Sequence, residues 1–278
     1  MESQLEKAHR LNHILLDKLD DVCRKYHITY FLDSGSLIGA VRHKSFIPWD
    51  DDVDIAFHRE EYNKLLNVPK EEWGDDFCLI GASEITPGGF HDFMPHLVYL
   101  KEEIPLKSYN KTREKCDKRY LDRMIMDIIL IDNAYDSAIM QKLLNYRLIL
   151  LYGQAMGYRD YIDYSSYGLI QKIIIYICSH IGRMRKLWKI YRDYDRVSQS
   201  VKKKGKRVFR SNATIPYLHC VYLGSWYEKN TLLLIDGKEY NAPSGYHHIL
   251  TEIYGDYMKL PPRKERIPVH ITDGKGME

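Results

Sequence analysis

The sequence predicts a mixed α/β (α+β) fold, a mixed β-sheet core with helical elaborations. An apolar stripe at helical spacing opens the chain, and short β-branched and aromatic runs then alternate with helix-like segments. One run, MIMDIILI at residues 124–131, is too apolar for the edge of a sheet. The 278 residues are 45% hydrophobic and 28% charged, the composition of a folded chain rather than a disordered one.

Leu11, Leu15, Leu19, Val22 and Tyr26 step by four, four, three and four, which gives one apolar face of an N-terminal helix. Residues 28–33 (ITYFLD) read as a strand, and a short helix should follow Gly35-Ser36. Pro48 makes 46–49 a turn, because its ring removes an amide donor. Residues 53–57 read as a second strand and 59–66 as a helix ended by Pro69. Strands are expected at 77–80, 95–101 and 123–132. Asp136 suits the N-cap of a helix running to residue 156, and a second long helix is expected across the basic stretch behind it. Asp236-Gly237, flanked by 232–235 and 238–240, is a hairpin-turn signal. Residues 244–254 form a last helix before Pro261-Pro262. There is no internal repeat. The expected organisation is a core at 1–135, a helical insertion at 136–210, and a C-terminal segment at 211–278 that packs back on the core.

The whole-chain charge of +3, from 41 Lys and Arg against 38 Asp and Glu, hides an asymmetry. Residues 169–207 hold 12 basic and 2 acidic side chains, a net +10, so the rest of the chain carries −7. Ile173, Ile177, Ile181, Met184, Trp188 and Tyr191 recur there at helical spacing, with Arg185, Lys189, Arg192 and Arg196 on another face and Lys202, Lys203, Lys204, Lys206 and Arg207 beyond. Two readings compete: a core-packed helix with a solvated basic face, or peripheral attachment to an anionic membrane, where each cation gains about 1 kcal/mol. Nucleic acid is not expected, since no helix-turn-helix, RRM or zinc signature is present. Five cysteines without a CxxC pair fit a reducing compartment. The N-terminus has no signal-peptide pattern, and no apolar run approaches the ~20 residues of a spanning helix. The chain is expected to be cytoplasmic.

The densest chemistry is GSLIGAVRHKSFIPWDDDVDI, residues 35–55, with Asp50, Asp51, Asp52 and Asp54 inside five positions. Residues two apart on a strand share a face, so Asp52 and Asp54 project together while Val53 turns to the core. Paired carboxylates repel unless a cation lies between them, and Mg²⁺ takes such oxygen ligands together with substrate phosphates. Gly35-Ser36 stands where a strand meets a helix, a position suited to holding phosphate. A strand, Gly-Ser, and then an Asp-x-Asp strand matches the nucleotidyltransferase-fold pattern. A third carboxylate is expected on a later strand; Asp127, in Met-Asp-Ile, is the candidate, whereas Asp132 reads as a loop cap.

At this point FLDSGSLIGAVRHKSFIPWDDDVDIAFHREEYNKLL resembles the core signature of the LicD family, which includes fukutin and fukutin-related protein. The resemblance resumes at MDIILID, with Leu130 where a Pro is common, and at APSGYHHILTEIYGDYMKLPP in the tail. It implies a phosphotransferase of the cholinephosphotransferase type. Such an enzyme moves phosphocholine, or another phospho-alcohol, from CDP-choline or another CDP-alcohol to a glycan that is often lipid-linked: lipopolysaccharide, teichoic acid or capsule. On that reading Asp52 and Asp54 hold Mg²⁺, and Asp127 completes the metal site or acts as general base. Gly35 and Ser36 bind phosphate. Arg42 is a phosphate contact or a partner of a nearby Asp. Trp49 stacks on the base, cages a quaternary ammonium, or anchors the turn. Arg266 and His270 lie in the similar tail and read more readily as structural. The rival functions are nucleotidylyl transfer from an NTP, and a non-catalytic adaptor that binds membrane or nucleic acid through 169–207.

Overall fold

The computed structural model describes residues 2–107, 113–202 and 205–271. Helix α1 (Gln4–Lys25) starts in a capping box between Ser3 and Glu6. Its buried face carries Leu11, Leu15, Leu19 and Val22, as the periodicity requires.

Strands β1 (Phe31–Leu32), β2 (Asp54–His58), β3 (Phe77–Ile80), β4 (His96–Glu103) and β5 (Arg123–Asn133) form a sheet in the order β1-β2-β5-β4-β3. Strand β6 (Arg207–Arg210) pairs with the end of β5, and β7 (Val221–Leu223) pairs with β6. β2 runs parallel to β5, and the other pairs are antiparallel. The MIMDIILI run lies at the centre of the sheet, as its hydrophobicity demands. Between the stretches of β5 that pair with β4 and with β6, the Asn212 side chain substitutes for a strand. It accepts from the Leu130 amide at 2.8 Å and donates to the Ile128 carbonyl at 2.9 Å.

Two short helices flank β2. Helix α2 (Ser34–Ile38) continues as a wide turn through His43, and α3 (Arg59–Leu65) follows the strand. The hairpin of β8 (Asn230–Ile235) and β9 (Lys238–Pro243) turns at Asp236 and Gly237, whose φ values of 49° and 85° are those of the expected tight turn. Helix α7 (Tyr246–Tyr254) comes after it.

The middle of the chain departs from expectation in four ways. Helix α4 (Ala138–Ala155) is capped by Ser137, while Asp136 accepts from the Lys206 amide. The single basic helix is two, α5 (Leu169–Arg183) and α6 (Leu187–Ser198). Residues 207–210 are a strand of the sheet, so the helices of the 136–210 segment end at Ser198. Lys203 and Lys204 lie outside the described residues. Finally, the apolar stripe of α5 does not face the core: Ile173, Ile177, Ile181 and Met184 are exposed, whereas Ile175, Cys178, Ser179 and Gly182 are buried. Close packing against α4 explains the inversion. A Cβ on Gly182 would collide with the Gln154 carbonyl, one on Gly157 with the Ser179 carbonyl, and one on Gly153 would lie 2.9 Å from Cys178 Cβ. Small residues bring the two backbones together, and the large ones point away. Gly182→Ala is therefore expected to lower stability by about 1–3 kcal/mol, read as a lower denaturant midpoint.

Candidate active site

The register of the sheet assembles the site. Parallel pairing sets Asp54 opposite Asp127, and antiparallel pairing sets His96 on the other side of Asp127. Three chemistry-bearing side chains thus stand in one row across β2, β5 and β4. Asp52 lies in the extended lead-in to β2, and Asp50 and Asp51 lie just before it.

The crowding shows in the acidities. Desolvation, then Asp52, Asp127 and Asp33, raise the Asp54 carboxyl well above the ordinary range. Desolvation and Asp52 likewise push Asp50 up to about 8. Among the described residues no side chain donates a hydrogen bond to Asp54. Its neighbours are better served: His96 Nδ1 lies 2.9 Å from Asp127 Oδ1, and His96 Nε2 lies 3.5 Å from Asp92 Oδ1. Burial opposes protonation of His96, but Asp92 and Asp127 prevail and lift it to about 10.

The tail closes over the acidic run. Asp51 is buried and accepts the amides of Val269, His270 and Ile271 at 3.3, 2.8 and 2.6 Å. That places His270 Nε2 3.1 Å from Asp52 Oδ2. Desolvation opposes this pair on both sides, yet His270 is raised to about 9 and Asp52 falls below its ordinary value. Arg42 and Arg266 both approach Trp49, at 6.0 and 5.3 Å from the ring centroid. Arg42 donates to the Tyr257 carbonyl and Arg266 to the Pro261 carbonyl, and neither is ion-paired among the described residues. Trp49 is half-buried with both cations close to its ring, which makes the neighbourhood receptive to an anion.

Gly35 and Ser36 sit inside the first turn of α2, which begins one residue before Gly35 and is capped by Asp33. A Cβ at Gly35 would collide with Asp50 Oδ2, so glycine is what lets the acidic run approach α2. Ser36 Oγ accepts from the Asp54 amide at 3.0 Å and fixes the start of β2. Beneath α2, the buried Arg210 lies 3.2 Å from Asp33 and donates to Ser34 Oγ at 2.7 Å.

Asp51, Asp52 and His270 offer ligand atoms within 4.8 Å of one another, the one such group among the described residues. Asp51 is saturated by three amides there, and imidazole is a poor match for Mg²⁺ or Ca²⁺. Asp52, Asp54 and Asp127 offer carboxylate oxygens alone but do not converge to that spacing; strand register pairs Asp54 with Asp127, and the raised Asp54 marks an excess of negative charge that a cation would relieve.

Asp132 is not a loop cap. It is buried at the far end of β5, where it binds Arg59 through two hydrogen bonds of 3.0 and 2.6 Å and accepts from Ser211 Oγ. A cavity of about 700 Å³ opens at that end, lined by His58, Arg59, Asp132, Lys206, Tyr227 and Glu228. It is separated from the carboxylate row by the length of β2. His96, Asp92 and Arg210 were not singled out from the sequence: strand register brings His96 and Arg210 in, and the loop before β4 carries Asp92 to His96. Asp33 carried a legible signal, an Asp directly before a helix start.

Residues 27–79 match the family described as LicD/FKTN/FKRP, nucleotidyltransferase domain. The chain is 27% identical over 277 residues to the lipopolysaccharide cholinephosphotransferase LicD of Haemophilus influenzae, covering 93% of each. It is 41% identical over 124 residues to an uncharacterized protein of Rickettsia typhi, covering 37% of this chain and 40% of that one. Over 47 residues it is 50% identical to the human ribitol 5-phosphate transferase FKRP, covering 17% of this chain and 10% of the relative.

Proposed function

We propose, from the likeness of residues 27–79 to the LicD/FKTN/FKRP family and of nearly the whole chain to a cholinephosphotransferase, Mg²⁺-dependent transfer of phosphocholine, or a related phospho-alcohol, from a CDP-linked donor to a hydroxyl of a cell-surface glycan. The observation that carries this reading is the parallel register that places Asp54 beside Asp127, with Asp52 leading into the same strand. Similarity along nearly the whole chain to a cholinephosphotransferase favours choline. The ribitol phosphate relative matches only a short segment.

Asp52, Asp54 and Asp127 would hold the cation. When bound, it neutralises the diphosphate and the departing CMP. Arg42 and Arg266 hold donor phosphate from the Trp49 side, each with guanidinium donors left over after its carbonyl bond. Trp49, half-buried, offers the open part of its ring to the base or to the quaternary ammonium. Gly35 and Ser36 act mainly by shaping: they admit Asp50 and set the position of Asp54. His96 and Asp92 orient Asp127, whose second oxygen can complete the ligand set or accept the proton of the acceptor hydroxyl.

A thermal-shift series with CDP-choline, CDP-ethanolamine, CDP-ribitol and CDP-glycerol, each with and without Mg²⁺, tests donor recognition. One donor should raise the melting temperature by several degrees, and only with the cation; a ligand at 100 times its Kd stabilises by about 2.7 kcal/mol. Stabilisation by NTPs alone, with none by any CDP-alcohol, points instead to nucleotidylyl transfer.

A further inference from the structure

We propose that α5 docks this protein on an anionic lipid bilayer, its outward apolar face entering the interface and the basic residues at the α5–α6 break meeting the headgroups. The inference is independent of the transferase reading. Ile170, Ile173, Ile177 and Ile181 step by three, four and four and share one helix face. That face is directed away from the protein, since Ile175, Cys178, Ser179 and Gly182 occupy the buried side. The exposure is large: Leu169 is 76% exposed, Ile170 74% and Met184 87%. Helix α4, its packing partner, also leaves Ile139, Leu143, Tyr146 and Leu150 exposed at steps of four, three and four. A helix that packs on a globular core in water normally turns its apolar stripe inward. Here glycines at the α4–α5 contact take up the inward side, and the bulky residues are presented to whatever lies outside.

The charge around this face selects the occupant. Arg183, Lys186 and Lys189 are exposed beside Met184 and Trp188. The two acids of the segment are already committed, Asp193 to Arg185 at 2.5 Å and Asp195 to Arg59 at 3.0 Å. Lys189 and Arg192 lie over the Trp188 ring, at 5.6 and 5.1 Å from its centroid, a grouping suited to the headgroup layer. A second copy of the chain seated on the same face would oppose cation to cation. A nucleic acid has no use for the isoleucines. A bilayer with anionic lipid satisfies both features at once. No helix among the described residues is long and apolar enough to cross it, so the contact is peripheral.

The test is co-sedimentation of the full chain with vesicles of phosphatidylcholine, alone or mixed with phosphatidylglycerol. Binding should be at least about tenfold tighter to the mixed vesicles and should weaken in high salt. Ile173→Asp with Ile177→Asp changes two half-exposed side chains, so it should leave the melting temperature unchanged while abolishing binding to both vesicles. Lys186→Glu with Lys189→Glu should remove the preference for phosphatidylglycerol. Equal binding by the isoleucine variant overturns the proposal, as does absence of binding to either vesicle. So does a dimer in solution that the isoleucine variant dissociates while vesicles are ignored, which would make a second copy the occupant.

Discussion

Asp54→Asn should reduce turnover by about 10³-fold or more and leave the fold intact. The asymmetry follows from where the residue sits. Asp54 opens β2 opposite Asp127, accepts no side-chain hydrogen bond among the described residues, and is pushed well above the usual carboxylate range by desolvation, Asp52 and Asp127. Without a cation its charge opposes folding, because the unfolded chain ionises it more easily. A neutral amide relieves that opposition. The melting temperature of the metal-free variant should therefore equal or exceed that of the parent, while Mg²⁺-dependent stabilisation by donor disappears. A variant that loses stability as well as activity would mark Asp54 as a structural residue instead.

Arg210→Met should be the most destabilising single change near the site, by about 3–5 kcal/mol, measured by denaturant unfolding. Arg210 is buried with Asp33, and it also donates to Ser34. Removing the cation strands a buried carboxylate that at the same time caps α2. The penalty belongs to the orphaned charge rather than to the lost contact. Asp33→Asn combined with Arg210→Met should therefore recover a substantial part of the loss. No recovery would mean that packing of the arginine stem, not charge, is what matters.

Much of this architecture was legible in the chain because one physical rule governed each element. The α1 stripe, the buried β5 run and the Asp-Gly turn obey periodicity, hydrophobicity and positive-φ preference, and they stand where those rules place them. The acidic run was legible as a cluster, yet its division of labour was not. Asp51 is spent on the amides of the tail and Asp132 on Arg59, roles that depend on which backbone or guanidinium arrives from distant sequence. His96 and Arg210 were invisible for the same reason: each reaches the site by pairing with β5, and pairing partners are a tertiary choice. Helix α5 failed differently. Its 3.6-residue periodicity identified an apolar face correctly, but the assumption that an apolar face is a packing face was overturned by Gly153, Gly157 and Gly182.

The charge asymmetry divides along the same lines. The negative share gathers partly in residues 50–54, where a cation is proposed, and the positive share lies on α5, α6 and the segment beyond them. An adaptor that merely kept this fold would still bind its partner through 169–207 after Asp52→Ala, whereas a transferase would lose turnover and retain any membrane contact.

The decisive measurement is CMP release from CDP-choline and the other CDP-alcohols, with Mg²⁺ and a glycan acceptor present. CMP should appear only when donor, cation and acceptor are combined, and Asp52→Ala and Asp54→Asn should abolish it. Absence of CMP from every CDP-alcohol under those conditions, or release of pyrophosphate from an NTP instead, would contradict phospho-alcohol transfer.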